Sequence, residues 1–160
     1  MSDKKQYSVL FVCTANQCRS PMAEALFIRY LKDNGDDLEK WNVASAGCWA
    51  YPNLSATPHA IQTAEKMGGD LNFHSSKAVS EKLLKDFNLI LCMEFDHTHF
   101  IKRNFPEAAD DVFLLSEMVG EVFEIHDPIG GTLENYEQTA EKLNEIILSG
   151  FKKIHNLSKK

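Results

Sequence analysis

Apolar and polar residues alternate along this chain in two different rhythms. Short, nearly continuous apolar runs occupy residues 9–12 (Val-Leu-Phe-Val), 88–93 and 112–115, with a more mixed one at 41–46. Runs of that length without strict polar alternation predict strands buried on both faces, as in a parallel sheet. Between them, apolar residues recur in steps of three and four, the period of a helix with one buried face. Met22, Leu26, Phe27, Tyr30 and Leu31 form the first such set, with Ser20 and Pro21 at the cap and first-turn positions. Thr57-Pro58 opens a second helix carrying Ala60, Ile61, Ala64 and Met67 inward, and Gly68-Gly69 ends it. Ser80 caps a short helix through Leu83, Leu84 and Phe87, and residues 94–103 read as another. Thr132 begins a long closing helix whose buried face is Leu133, Tyr136, Ala140, Leu143, Ile147, Phe151 and Ile154. Gly150 interrupts it, at a cost of about 1 kcal/mol relative to Ala. Residues 33–40, around Gly35, 48–56 and 104–111 read as turns and loops, and the short apolar stretch 122–125 is broken by 126–131.

Strands alternating with helices make right-handed crossovers, and so an α/β fold with a parallel sheet. In such folds the ligand crevice lies at the carboxyl ends of the strands. Cys13 sits there, directly after the first apolar run. The chain of 160 residues is expected to be a single domain, 1–160, with a core large enough to need no staples.

Composition narrows the function classes. With 17 basic against 23 acidic residues the chain is mildly acidic and has no basic cluster, so nucleic acid is not an expected partner. No apolar run reaches bilayer length and the polar start, Met-Ser-Asp-Lys-Lys-Gln, lacks a signal-peptide core. A cytoplasmic protein without membrane contact is therefore expected. Four cysteines in that setting suggest reactive or buried thiols rather than disulfides, and Cys13 and Cys18 lack the spacing and partner pair of a zinc site. No metal and no cofactor are expected; the oligomeric state carries no sequence signal.

The chemistry concentrates where the first strand meets the first helix. Cys13, five residues and then Arg19 fill a tight polar segment at a helix N-terminus. Such a loop turns successive N–H groups inward and makes an anion site the size of a phosphate. The same field favours a thiolate at Cys13, with Arg19 as fixed positive charge beside it. A nucleophile on the floor of an oxyanion cradle suits phosphoryl transfer through cysteine.

Over nearly its whole length the chain resembles the low-molecular-weight protein tyrosine phosphatases, whose signature is Cys-x-Gly-Asn-x-Cys-Arg-Ser-Pro; here Ala15 stands at the usual Gly. The resemblance implies a three-layer α/β sandwich around a four-stranded parallel sheet of order 2-1-3-4, and hydrolysis of phosphotyrosine in proteins through a phosphocysteine. It assigns Cys13 as nucleophile, Arg19 as phosphate clamp, and Thr14, Ala15, Asn16, Gln17, Cys18 and Arg19 as the phosphate loop. Asp127, on a rigid Asp-Pro turn before the last helix, matches the acid that protonates the leaving group and then activates water; His126 is its neighbour and rival. Asn16 matches a left-handed loop Asn held by Ser45 and His74, and Ser20 the hydroxyl facing the thiolate. Glu94 stands where the family has Asp behind the arginine, and Cys18 matches the thiol that pairs reversibly with Cys13 under oxidation.

Trp49, Tyr51, Gln17 and Ile129 are the implied substrate walls. The tyrosine enzymes usually carry Tyr at the Ile129 position and Ile or Leu at the Gln17 position. The segment 127–132 (Asp-Pro-Ile-Gly-Gly-Thr) leans toward the bacterial protein arginine phosphatases, which carry Phe and Thr at those two positions. Phosphotyrosine comes first and phosphoarginine is the alternative. The expected partners are phosphorylated proteins or peptides, with inorganic phosphate or sulfate in the loop. Two other classes share such a cradle: a thiol-dependent arsenate reductase, which needs a relay of further cysteines that Cys48 and Cys92 do not supply by spacing, and a phosphocysteine carrier or phosphate-binding module, which would not require Arg19 together with Asp127.

Overall fold

The computed structural model describes residues 5–159. The polar start from Met1 to Lys4, on which part of the leader argument rests, lies outside the described residues. Four parallel strands, β1 (Tyr7–Cys13), β2 (Trp41–Gly47), β3 (Leu89–Cys92) and β4 (Val112–Leu114), stand in the order β2-β1-β3-β4. Among the described residues five α-helices accompany them: α1 (Arg19–Asp33), α2 (Pro58–Lys66), α3 (Glu81–Leu84), α4 (Phe95–Asn104) and α5 (Leu133–Ser158). Single 3₁₀ turns cover Leu38–Lys40, Pro106–Asp111 and Leu115–Val119.

The apolar runs become strands because both faces of the sheet are covered. Side chains alternate across a strand, so Val9, Phe11 and Cys13 join Leu89 and Leu91 in the core under α1 and α5. Leu10 and Val12 instead join Ile90, Cys92 and Ile101 in the core on the opposite face. The sheet is thus the middle of three layers, as the family resemblance implies. Register pairs Cys13 with Gly47 and Val12 with Cys92, which brings the carboxyl ends of β1, β2 and β3 together.

Several boundaries differ from expectation for physical reasons. Pro21 does lie in the first turn of α1, but Ser20 is not its cap: the helix starts at Arg19, and its N-cap, Cys18, makes no side-chain cap bond. The Ser20 hydroxyl is drawn instead to the Cys13 sulfur at 2.9 Å. Of residues 104–111, expected as loop, Asn104 ends α4 and Pro106–Asp111 wind into a 3₁₀ helix, and Phe87 falls just past α3, where it is buried. The stretch 122–125 forms no strand, but Ile125 is buried and its N–H donates to the Met93 carbonyl at 2.9 Å. That contact carries the following segment to the end of β3.

Candidate active site

The loop between β1 and α1 is built from its carbonyls outward. Cys48 and Trp49 donate their N–H groups to the carbonyls of Cys13 and Thr14 at 2.9 and 3.0 Å, and Thr57 donates to Gln17 at 3.0 Å. With the carbonyls turned away, none of the N–H groups from Thr14 to Cys18 donates to a backbone carbonyl among the described residues. Orphaned donors at a helix N-terminus are an anion cradle. Gly47 lets this loop close over β2, since a Cβ there would fall 2.6 Å from the Thr14 carbonyl oxygen and 2.9 Å from the Asn16 nitrogen.

Asn16 is the hinge, at φ 58° and wholly buried. Its amide nitrogen donates to Ser20 at 2.8 Å and Ser45 at 2.9 Å, and its Oδ1 accepts from the Lys77 N–H at 3.0 Å. His74 Nε2 donates to the Asn16 carbonyl at 2.7 Å. The four residues that the resemblance grouped (Asn16, Ser20, Ser45 and His74) therefore do meet. Burial lowers the His74 pKa, with the bond to Asn16 opposing. Ala15 does not share the left-handed conformation of Asn16, so a Cβ is tolerated at the family's usual Gly.

Arg19 is 1% exposed, and a buried guanidinium must be paired. Its Nη1 donates to Glu94 Oε2 at 2.7 Å and to the Ile125 carbonyl at 2.8 Å; its Nη2 donates to Thr14 Oγ1 and Asp127 Oδ2, both at 3.2 Å. Glu94, one methylene longer than the family's Asp, reaches the arginine. Asp127 is fixed from the other side by the Ile129 N–H, which donates to Oδ1 at 3.0 Å. His126 is exposed and does not line the cleft, whereas Asp127 does.

Cys13, Thr14, Ala15, Gln17, Cys18, Arg19, Asp127 and Ile129 together line a cleft of about 170 Å³. Of the expected walls, Gln17 and Ile129 line it, while Trp49 and Tyr51 stand outside, exposed on the neighbouring rim. Gln17 is held by its Nε2 donating to the Ser55 carbonyl at 3.0 Å. Cys18 is a free thiol against the Tyr136 hydroxyl at 3.4 Å and Thr57 at 3.5 Å, and burial raises its pKa. Burial also pushes Cys48 up to about 12 and Cys92 well above its usual range, so neither is a poised thiolate. Among the described residues no group of three or more His, Cys, Asp or Glu is placed to hold a metal, and no helix is long and apolar enough to cross a membrane.

Three contributors escaped the sequence reading. Gly47 ends the second strand, and only the close approach reveals why it is glycine. Tyr136 reads as one apolar step of the last helix, yet its hydroxyl meets Cys18. His97 reads as an ordinary helical residue; its one sequence signal is its position three after Glu94, where its Nδ1 caps the Glu94 N–H at 3.0 Å.

Comparison with known proteins agrees with this construction. Residues 8–159 match the low molecular weight phosphotyrosine protein phosphatases, and the chain belongs to that family of phosphatases. The protein-arginine-phosphatase of Bacillus subtilis (strain 168) is 41% identical over 140 residues, spanning 87% of this chain and 91% of that one. A crystal structure of the low molecular weight protein tyrosine phosphatase from T. tengcongensis superposes with a TM-score of 0.85 at 40% identity, covering 92% and 99% of the two chains. A YwlE arginine phosphatase mutant with a phosphorylated active site serine superposes with a TM-score of 0.84 at 39% identity, covering 91% and 93%.

Proposed function

We propose that this chain hydrolyses phosphorylated side chains of proteins through a phosphocysteine on Cys13. One observation carries the reading: a thiol, an amide-lined loop, a paired guanidinium and a carboxyl share a single small cleft. The phosphoryl group sits in the loop with its oxygens on the free N–H groups and Arg19. The Cys13 sulfur attacks phosphorus; the S–P bond forms as the bond to the leaving atom breaks, and protonated Asp127 gives its proton to that atom. Asp127, now a carboxylate, takes a proton from water, which attacks phosphorus and releases inorganic phosphate and the free sulfur. Ser20, 2.9 Å from Sγ, steadies the sulfur between steps. A relative whose active-site serine is found phosphorylated supports a covalent phosphoenzyme.

Phosphotyrosine is the first reading for the substrate. Half-exposed Trp49 donates its backbone N–H to the loop carbonyl of Thr14, which supports a reading in which its ring borders the mouth of the cleft. Phosphoarginine has its own observations: the cleft lining is aliphatic Ile129 and polar Gln17 rather than an aromatic slot, and a 41% identical relative bears that name. Turnover on phosphotyrosine, phosphoarginine and phosphoserine peptides, measured side by side with Cys13→Ser as control, decides between them. Activity that survives Cys13→Ser would overturn the phosphocysteine, and no hydrolysis of any phosphopeptide or aryl phosphate would overturn the phosphatase reading itself. Under oxidation, Cys13 and Cys18 are proposed to join as a reversible disulfide, read by mass spectrometry after mild peroxide.

A further inference from the structure

The hydroxyl of Thr14 is more constrained than a loop hydroxyl needs to be. Its Oγ1 lies 2.9 Å from His97 Nε2 and 3.2 Å from Arg19 Nη2. The far side of the imidazole settles the direction of the first bond. His97 Nδ1 accepts the backbone N–H of Glu94 at 3.0 Å, so in the neutral ring the proton must sit on Nε2. Burial, and then the nearby Arg19 charge, hold the His97 pKa down at about 4, so the ring is neutral at ordinary pH. Arg19 can only donate. A hydroxyl oxygen offers two lone pairs and one hydrogen. Both lone pairs of Thr14 are therefore taken, and its hydrogen is left without an acceptor among the described residues while the residue lines the cleft beside Cys13.

We propose that His97 is a positioning residue that forces the Thr14 hydroxyl to point its hydrogen into the cleft, making it a side-chain donor to the phosphoryl oxygens alongside the loop amides. This rests on the phosphoryl-transfer reading above. A free hydroxyl can rotate and present a lone pair to an incoming anion, which repels. One whose lone pairs are both occupied presents only its hydrogen, and no reorganisation is needed as charge develops on the phosphoryl oxygens. Glu94 ties the arrangement together: its backbone sets the imidazole tautomer while its carboxylate holds Arg19, the second donor to Thr14. His97 touches no substrate in this scheme. Its effect passes wholly through Thr14.

The test uses the full chain and an aryl phosphate, with orthovanadate and inorganic phosphate as probes of the cradle. Thr14→Val keeps the shape and removes the hydroxyl; it should lower kcat by ~10-fold or more and weaken vanadate inhibition by a similar factor, with a smaller change in KM. Thr14→Ser should recover most of that loss. His97→Leu should reproduce the Thr14→Val defect, and the double variant should be no worse than either single one. A Thr14→Val enzyme with wild-type kcat and vanadate inhibition overturns the proposal, and additive losses in the double variant overturn the part played by His97. Should His97→Leu fail to fold, the valine and serine variants at Thr14 still decide. Hydrolysis that depends on Cys13 but ignores Thr14 sinks this inference alone, whereas a wild-type chain that hydrolyses nothing sinks the phosphatase reading with it.

Discussion

The two ends of the sheet are built on opposite principles. At the amino ends of β1 and β2, Tyr7 and Trp41 stack with centroids 4.6 Å apart, and Phe27, Tyr30, Phe151 and His155 close around them. At the carboxyl ends, the buried polar residues include Asn16, Arg19, Ser20, Ser45 and His97, each with named hydrogen-bond partners. Ring packing is weakly directional and tolerates shape changes for modest loss. A buried polar network is the reverse, because any group left unpaired keeps its full desolvation cost. Perturbing the aromatic end should therefore cost stability without touching the chemistry, whereas the polar end carries both.

The sharpest response to acid is expected at the polar end, where His97 is buried. His97, held at about 4 against an ordinary 6.5, binds a proton more readily in the unfolded chain. Its contribution is complete above the unfolded pKa and is lost as pH falls toward 4, a term on the order of 3 kcal/mol. Burial lowers the His74 pKa too, adding in the same direction, while Glu24, raised by burial, works the other way. Denaturant midpoints should fall between pH 7 and 4.5. A flat profile would show that the polar end carries no such penalty and would blur the contrast.

Next in size is Asp127→Ala. Turnover should drop ~100-fold or more on poor leaving groups, about 2.7 kcal/mol of transition-state stabilisation, with a milder loss on nitrophenyl phosphate. Stability should change little, because Arg19 keeps Glu94 and the Ile125 carbonyl. Unaltered activity toward alkyl phosphates would place the proton donor elsewhere.

Gly150 shows where the contrast was hidden from the sequence. As a helix-interior glycine it predicts that Ala would stabilise α5. In the fold, a Cβ there would sit 2.9 Å from the Met118 Cβ and 3.0 Å from its carbonyl oxygen. Gly150→Ala should therefore destabilise by about 1–2 kcal/mol, with kcat intact. A raised melting temperature would mean that the Leu115–Val119 turn yields freely.

How much could be read in advance follows the same division. Strands such as 9–12 and the stripe along α5 were legible because a period along the chain reports which face is buried. Cys13, Arg19 and Asp127 were legible as a spacing and a turn, with the family resemblance supplying their grouping. The rest depends on distances across the fold. Gly47 is needed by the Thr14 carbonyl, His97 acts through an oxygen 83 positions away, and Ser20 spends its hydroxyl on a thiol rather than on a cap. None of these leaves a periodic trace, because each is a single directed contact. Trp49 and Tyr51 show the converse: the family resemblance suggested walls, yet the lining stops at Gln17 and Ile129.

The smallest expected effect tests the aromatic end on its own. Phe151 lies between Phe27, with centroids 6.0 Å apart, and Tyr30, at 4.6 Å, and it is only partly buried. Phe151→Leu removes ring contacts but keeps an apolar side chain, so neighbours can close in, and the loss should be about 1 kcal/mol. Because the strands that link this cluster to the phosphate loop have central residues packed within the sheet, kcat and vanadate affinity should not move. Melting followed by near-ultraviolet circular dichroism, with kinetics on the same sample, reads both quantities. A loss of turnover without loss of stability would mean that strain at Tyr7 and Trp41 travels along β1 and β2 to the phosphate loop, and the two ends would then have to be treated as one cooperative unit.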